Sequence, residues 1–268
     1  MPELPEVETV AHALSEKILG HTIVDCVVRN PALRWPITDD FPSRLLGQKI
    51  LHIHRRSKYL LWQLSEGYVI AHLGMTGSFS LRSEPKQRPH DHVQWRLSSG
   101  DYLSYHDPRR FGCLLWSATL DHPLLRSLGP EPLAADFEVH YLHTAFKGKK
   151  QAVKAALMDS HIVVGVGNIY AAEALFRAGI HPDRAAGRIS KIRLENLVTA
   201  IKTVLAEAIE MGGTSFSDFV TIDGGVGQYQ ERKTVYGRKG LPCVQCGTAI
   251  ALMTHSGRST FYCPRCQT

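Results

Sequence analysis

The residues with the most chemistry in them stand at the start of the chain, Met1-Pro2-Glu3-Leu4-Pro5-Glu6-Val7-Glu8. Initiator methionine is commonly removed when the second side chain is small, so the expected first residue is Pro2. Its free end is a secondary amine. An α-amino group has a pKa near ~8, well below lysine, and a useful share is unprotonated at neutral pH. Such an amine can attack an electrophilic carbon and form an iminium, covalent catalysis of the Schiff-base kind. Glu3 stands beside it as a proton carrier. The same residues have a plainer reading, in which Pro2 and Pro5 only delay the first helix, with Pro5 in its first turn.

The second chemical group closes the chain. Cys243-x2-Cys246 is followed after sixteen residues by Cys263-x2-Cys266. Four thiolates at this spacing surround Zn²⁺ tetrahedrally, and two tight Cys-x2-Cys turns joined by a hairpin describe a zinc ribbon. With every ligand supplied by the chain, the metal is structural. Cys26 and Cys113 stand alone in apolar runs and read as core residues. Zinc and four thiolates sum to −2, so Arg238, Lys239, Arg258 and Arg265 leave the module positive. Arg258 lies on the turn between the two ribbon strands, placed either to grip a phosphate or to sit in solvent.

Three further stretches have two readings each. Gly165-Val166-Gly167-Asn168-Ile169-Tyr170 opens a helix, where free N–H groups can meet a phosphate. It is a tight inter-helix turn or, with Lys147, Lys149, Lys150 and Lys154 nearby, a nucleic-acid backbone site. Asp107-Pro108-Arg109-Arg110-Phe111-Gly112 is a surface turn or a wedge that enters a duplex, with Met75 a second apolar plug or a core methionine. Lys58, after Arg55-Arg56-Ser57, ends a basic strand or reaches a site made with the chain start.

These groups need a frame. The 268 residues suffice for two modest domains. Apolar content of 44% and charged content of 21% suit a globular protein rather than a membrane one. The acidic start predicts no secretory leader. The net charge of +6 favours an anionic partner. Apolar spacing predicts a helix over 6–19. Strands are expected over 22–28, 49–53, 58–64, 68–73, 93–97, 102–105 and 112–116, hairpin-spaced as in an antiparallel sandwich or barrel. Gly129-Pro130-Glu131-Pro132 reads as a linker. Helices follow over 136–146, 150–159, 168–178 and 191–211, the last capped by Ser190 and stopped by Gly212-Gly213. A mobile loop is expected over 212–230.

Together, the Pro-Glu-Leu-Pro-Glu-Val-Glu-Thr start, Lys58, the Asp-Pro-Arg-Arg-Phe-Gly turn, the Gly-Val-Gly-Asn-Ile-Tyr turn and the four cysteines resemble the formamidopyrimidine-DNA glycosylase family, bacterial enzymes that remove oxidised purines. The resemblance runs over essentially the whole chain. It implies an α+β fold: an N-terminal antiparallel β-sandwich with its N-terminal helix over 2–131, a helical helix-two-turn-helix domain with a lesion-capping loop over 132–233, and a zinc ribbon over 234–268. It implies Pro2 as nucleophile on C1′, Glu3 as acid/base in sugar-ring opening, and Glu6 as a structural carboxylate. Lys58 matches the lysine of β-elimination, and Arg258 the ribbon arginine of δ-elimination. Met75, Arg109 and Phe111 match void-filling side chains, with Arg109 facing the orphaned cytosine. His90, Lys149 or Lys150, Asn168 and Tyr236 match backbone contacts.

The implied activity is excision of 8-oxoguanine and formamidopyrimidines, then a nick on both sides of the abasic sugar. The implied partner is double-stranded DNA bearing such lesions or abasic sites; the implied cofactor is one structural Zn²⁺. A monomer is expected, cytoplasmic and nucleoid-associated, with no membrane contact. Tyr229 stands where the family commonly has Phe, and Thr234 where an apolar residue is common. The sister family, endonuclease VIII, typically begins Pro-Glu-Gly-Pro-Glu; Leu4 and the Asp-Pro-Arg-Arg-Phe-Gly turn favour the purine enzyme. A non-catalytic sensor of kinked DNA would need no free terminal amine.

Overall fold

The computed structural model describes residues 1–214, 227–255 and 257–268. The loop expected over 212–230 falls mostly on 215–226, outside the described residues. The chain divides into two compact units: residues 1–126 with 212–228, and residues 127–211 with 229–268.

The first unit opens with α1 (Leu4–Ile18), which begins earlier than the apolar spacing predicts. The reason is a cap. Glu3 is the N-cap in extended conformation, and its N–H donates to Glu6 Oε2 at 2.8 Å. Pro5 fits the first turn, where its missing N–H costs nothing. Leu4, Val7, Val10, Ala11, Leu14 and Ile18 form the buried face.

The strands then follow in order: β1 (Ile23–Val28), a short α2 (Phe41–Leu45), β2 (Ile50–Arg56), β3 (Tyr59–Leu64), β4 (Tyr68–His72), β5 (Ser78–Arg82), β6 (Asp91–Leu97), β7 (Tyr102–His106), β8 (Cys113–Ser117) and a short α3 (Pro123–Arg126). They form two antiparallel four-stranded sheets, ordered β1-β6-β7-β5 and β2-β3-β4-β8. Trp62 of β3 meets Trp95 of β6 and Phe79 of β5 at ring distances of 5.5 and 5.4 Å, so aromatic side chains join the two sheets into a sandwich core. β5 is absent from the sequence reading because its only fully buried residue is Phe79, between two serines. Its pairing with β7 makes it a strand.

Residues 212–214 and 227–228 belong with this unit. Thr214 and Gln228 form an isolated bridge, and the Thr214 N–H donates to Glu6 Oε1 at 2.7 Å.

The second unit holds α4 (Val139–Phe146), α5 (Val153–Leu157), α6 (Asn168–Arg177), α7 (Lys191–Glu210) and a hairpin of β9 (Ala251–His255) and β10 (Arg258–Tyr262). α6 and α7 match the expected ranges within a residue. α4 starts three residues later than expected and ends where expected, at Phe146. α5 starts later because 147–152 is held as a turn by Lys149 N–H to the Phe146 carbonyl and by a bridge between Ala152 and Ala185. Ser190 is the N-cap of α7, but its side chain makes no capping bond. Cys26 and Cys113 are buried in the first unit, as expected.

Candidate active site

The start of the chain is seated in the first unit. Met1 is exposed, while Pro2, Glu3 and Glu6 are buried. Burial pushes the terminal amine, here on Met1, below its ordinary value; Glu3 and Glu6 oppose this, and Lys58 and Arg109 add to it. The amine is therefore within electrostatic reach of four side chains singled out from sequence, Glu3, Glu6, Lys58 and Arg109. Glu6 has no solvent contact and accepts backbone N–H groups on both oxygens, from Glu3 and from Thr214. It holds the chain start and the base of the 212–228 segment on one carboxylate.

Lys58 occupies the two-residue turn between β2 and β3, beside Ser57 at φ 59. Met75 and Phe111 lie on two neighbouring turns and are 38% and 42% exposed, high for apolar side chains with a sandwich core at hand. The Arg109 guanidinium sits 4.7 Å over the Phe111 ring. A concavity of about 690 Å³ is lined by Met1, Leu33, Arg34, His72, Met75, Arg109 and Phe111, among others.

Asp107 locks these turns together, a role the sequence reading did not assign. It is fully buried. Its carboxylate accepts from the Gly112 N–H at 2.8 Å, Thr76 Oγ1 at 2.5 Å and Tyr105 Oη at 3.4 Å. Its carbonyl accepts from His92 Nε2 at 2.7 Å. The turns also touch backbone to backbone. A Cβ on Gly74 would lie 2.4 Å from the Phe111 carbonyl carbon, and one on Gly112 would lie 1.8 Å from Tyr105 Oη. Asp107→Ala strands three buried donors, each costing about 1–3 kcal/mol. Partial relaxation leaves an expected loss of about 3 kcal/mol in urea unfolding; an unchanged midpoint would remove Asp107 from this role.

His72 and Arg34 are further additions. His72 ends β4 and its pKa is pushed down to about 4 by burial, reinforced by Lys58 and Arg34. It is neutral at physiological pH. Nδ1 accepts the Gly74 N–H at 2.9 Å, which leaves the ring proton on Nε2. The one polar residue in the run Val69-Ile70-Ala71-His72-Leu73 was the available signal.

His90 has φ 68, a left-handed conformation that costs a non-glycine residue energy. Asp91 holds it there, accepting the Arg88 N–H at 2.9 Å and meeting His106 Nδ1 at 3.0 Å. The His90 carbonyl accepts the Asp107 N–H. His90 is thus tied to the turn that carries Arg109.

In the second unit, Asn168 starts α6 and donates from Nδ2 to the Ser259 carbonyl at 3.1 Å and to Tyr236 Oη at 3.3 Å. Two residues far apart in sequence meet at the start of β10. Lys154 is not a surface lysine. It is 2% exposed, and its ammonium reaches Asn168 Oδ1, Thr260 Oγ1 and the Ser259 carbonyl. Lys149 is half-buried and Lys150 exposed on the turn before α5. Arg258 is exposed at the start of β10. Glu173 of α6, also unassigned from sequence, is fully buried and accepts the N–H groups of Thr234, Val235 and Tyr236. Thr234 further donates its hydroxyl to the same carboxylate at 2.5 Å, which accounts for a polar residue there.

Cys243, Cys246, Cys263 and Cys266 bring their sulfurs within 4.8 Å of one another. A tetrahedron with Zn–S near ~2.3 Å has edges of about 3.8 Å. The Cys243–Cys266 and Cys246–Cys263 sulfurs are 3.9 and 3.5 Å apart, so the donor set and its size fit Zn²⁺.

Three family models match in succession. They are the formamidopyrimidine-DNA glycosylase N-terminal domain over residues 1–114, its H2TH domain over 128–220, and the zinc finger found in FPG and IleRS over 240–268. The formamidopyrimidine-DNA glycosylase of Escherichia coli (strain K12 / DH10B) is 51% identical over 271 residues, all of both chains. This chain belongs to the formamidopyrimidine-DNA glycosylase family.

Among solved structures, the MutM (Fpg) protein of Thermus thermophilus superposes with a TM-score of 0.90 at 43% identity, covering 99% of this chain and 98% of that one. Lactococcus lactis Fpg, in complex with DNA containing an abasic site, gives 0.91 at 31% identity over 99% of each chain. The formamidopyrimidine-DNA glycosylase framework agrees with the sandwich, the helical unit and the four-cysteine ribbon described above, and the chain's structural zinc belongs to that ribbon.

Proposed function

We propose that this chain is a bifunctional DNA glycosylase and abasic-site lyase of base-excision repair. It removes 8-oxoguanine and formamidopyrimidines from duplex DNA and nicks the strand on both sides. The observation that carries this reading is the buried proline-led start beside Lys58 and Arg109. The chain works in three parts, a catalytic sandwich over 2–131, a helical part over 132–233 and the ribbon over 234–268.

A base stacked in a duplex hides its glycosidic bond, so the nucleotide is turned out at a cost of a few kcal/mol. Met75, Arg109 and Phe111 fill the gap and offset lost stacking. The Pro2 nitrogen forms a bond to C1′ while the glycosidic bond breaks and its electrons leave with the base. Glu3 supplies a proton to the sugar ring oxygen as the ring opens, leaving a C1′ iminium. The iminium acidifies C2′–H; loss of that proton, assisted by Lys58, expels the 3′ phosphate. A second elimination, assisted by Arg258, expels the 5′ phosphate. Glu6 holds the chain start throughout. His90, Lys149 or Lys150, Asn168 and Tyr236 hold the backbone. Zinc, when bound, contributes the ribbon's fold.

Borohydride reduction with an 8-oxoguanine:cytosine duplex tests the reading. Mass spectrometry of the conjugate should place the link on Pro2; a link on any other residue overturns it. With Lys58, one or both of Lys149 and Lys150, and Arg258 on phosphates, log K should fall against log salt with a slope of roughly −3. An affinity unchanged between about 50 and 200 mM salt would contradict the backbone contacts. The protein acts as a monomer on nucleoid DNA in the bacterial cytoplasm. Among the described residues no helix is long and apolar enough to cross a membrane.

A further inference from the structure

Arg55 lies on β2 with only 8% of its side chain exposed. Burying a cation is costly unless it is paired and its N–H groups are used. Here two elements share it. Nε donates to Glu8 Oε2 at 2.5 Å, and Glu8 belongs to α1, the helix that begins just after Pro2. Nη1 donates to the Ser57 carbonyl at 3.0 Å, and Ser57 is the first residue of the turn that carries Lys58. Ser57 stands at φ 59, where a side chain is disfavoured, so something must hold that turn. The rigid fork of a guanidinium can span two acceptors at a fixed angle, and an ammonium on a flexible stem cannot.

We propose that Arg55 is a positioning residue for this reaction, fixing Lys58 against the chain start by joining Glu8 to the Ser57 turn. The inference rests on the reading of Pro2 as nucleophile and Lys58 as its partner. The charged groups that act electrostatically on the terminal amine, here on Met1, are Glu3, Glu6, Lys58 and Arg109. Of these, Lys58 alone sits on the turn Arg55 holds. A cation near the amine favours its unprotonated form. A lysine that drifts away lets the amine hold its proton to higher pH and slows attack near neutrality.

The test uses two charge-conserving variants of the full chain, Arg55→Lys and Glu8→Asp. Each keeps its charge and loses the two-ended bridge. The readout is the pH profile of single-turnover borohydride trapping on an abasic duplex, with DNA affinity and thermal unfolding measured alongside. Arg55→Lys should move the acidic limb upward by about 0.5 pH unit and slow trapping near pH 7 roughly threefold, with Kd within about twofold. Glu8→Asp should shift the limb the same way by less, and decides the matter if Arg55→Lys fails to fold. A limb in its wild-type place in both folded variants, whatever the loss of melting temperature, makes the bridge structural only and overturns the proposal. Wild-type protein runs in parallel. If it is not trapped at Pro2, the functional reading itself fails, an outcome separate from a limb that does not move.

Discussion

A Pro2→Gly variant with Met1 removed is expected to lose at least about a hundredfold in excision of 8-oxoguanine, while its cleavage of a pre-formed abasic site falls far less. The contrast follows from the nitrogen. Proline gives a secondary amine, and its adduct with C1′ is an iminium with no N–H to lose. It therefore remains a cationic electron sink at every pH. Glycine gives a primary amine whose imine must be protonated to serve. It also frees the N–Cα torsion that the pyrrolidine ring locks, which erodes the preorganisation that makes attack effectively unimolecular. An abasic site in its ring-opened form already presents an aldehyde, to which any well-placed amine adds. Displacing a base asks much more of the nucleophile. Pro2→Glu goes further, because a large second side chain leaves Met1 in place and buries the nitrogen in an amide. Trapping should then fall by about a thousandfold or more. Single-turnover kinetics on both duplexes, with intact mass to establish the first residue, checks both variants. A Pro2→Glu protein that retains Met1 and still traps at the wild-type rate would move the nucleophile elsewhere, with Lys58 next in line.

What could be read from sequence alone divides along a physical line. Residues whose role depends on their own chemistry stand out by type and spacing: a second-position proline with a neighbouring carboxylate, four cysteines in two pairs, arginines and an aromatic on one turn. Elements stabilised by their own apolar pattern were equally legible, such as α1 and α7, whose buried faces follow from helical spacing. What remained hidden depends on partners distant in sequence. Asp107 looks like a turn residue until Thr76, Tyr105 and Gly112 converge on it. Lys154 reads as one lysine in a basic run, yet bonds to β10 bury it more than a hundred residues away. Glu173 lies within an ordinary helical pattern, with the segment it holds some sixty residues downstream. β5 has too little apolar pattern of its own and exists through β7. Spacing within a segment cannot encode such long-range pairings, and these are what fix the site's geometry.

Stripping zinc should cost more DNA affinity than deleting Arg258. Arg258→Ala removes one phosphate contact, so the expected loss is modest and the salt slope falls in magnitude by about 1. The metal holds a larger structure. Cys243 and Cys263 are part of a small core with Ala172, Phe176, Val235 and Ile250, against which Tyr236 and Phe261 pack. Apparent binding free energies of structural zinc are about 10–16 kcal/mol in zinc-finger peptides at neutral pH, as large as the whole stability of a small domain. Without it the hairpin cannot persist. β10 then releases Ser259 and Thr260, and the buried Lys154 ammonium loses two of its partners. Asn168 and Tyr236 lose the strand that orients them, so two proposed backbone contacts fail together with Arg258. The expected loss of affinity is at least about a hundredfold, or roughly 2.7 kcal/mol. The same change should follow from Cys263→Ser, which leaves three thiolates. Tryptophan separates local from global failure, because all four, Trp35, Trp62, Trp95 and Trp116, lie in the first unit. Chelation should leave tryptophan emission unchanged while binding collapses, whereas a tryptophan shift in step with zinc release would show that the sandwich also depends on the metal. Metal-free protein with full affinity would show that Asn168 and Tyr236 hold their places without β10.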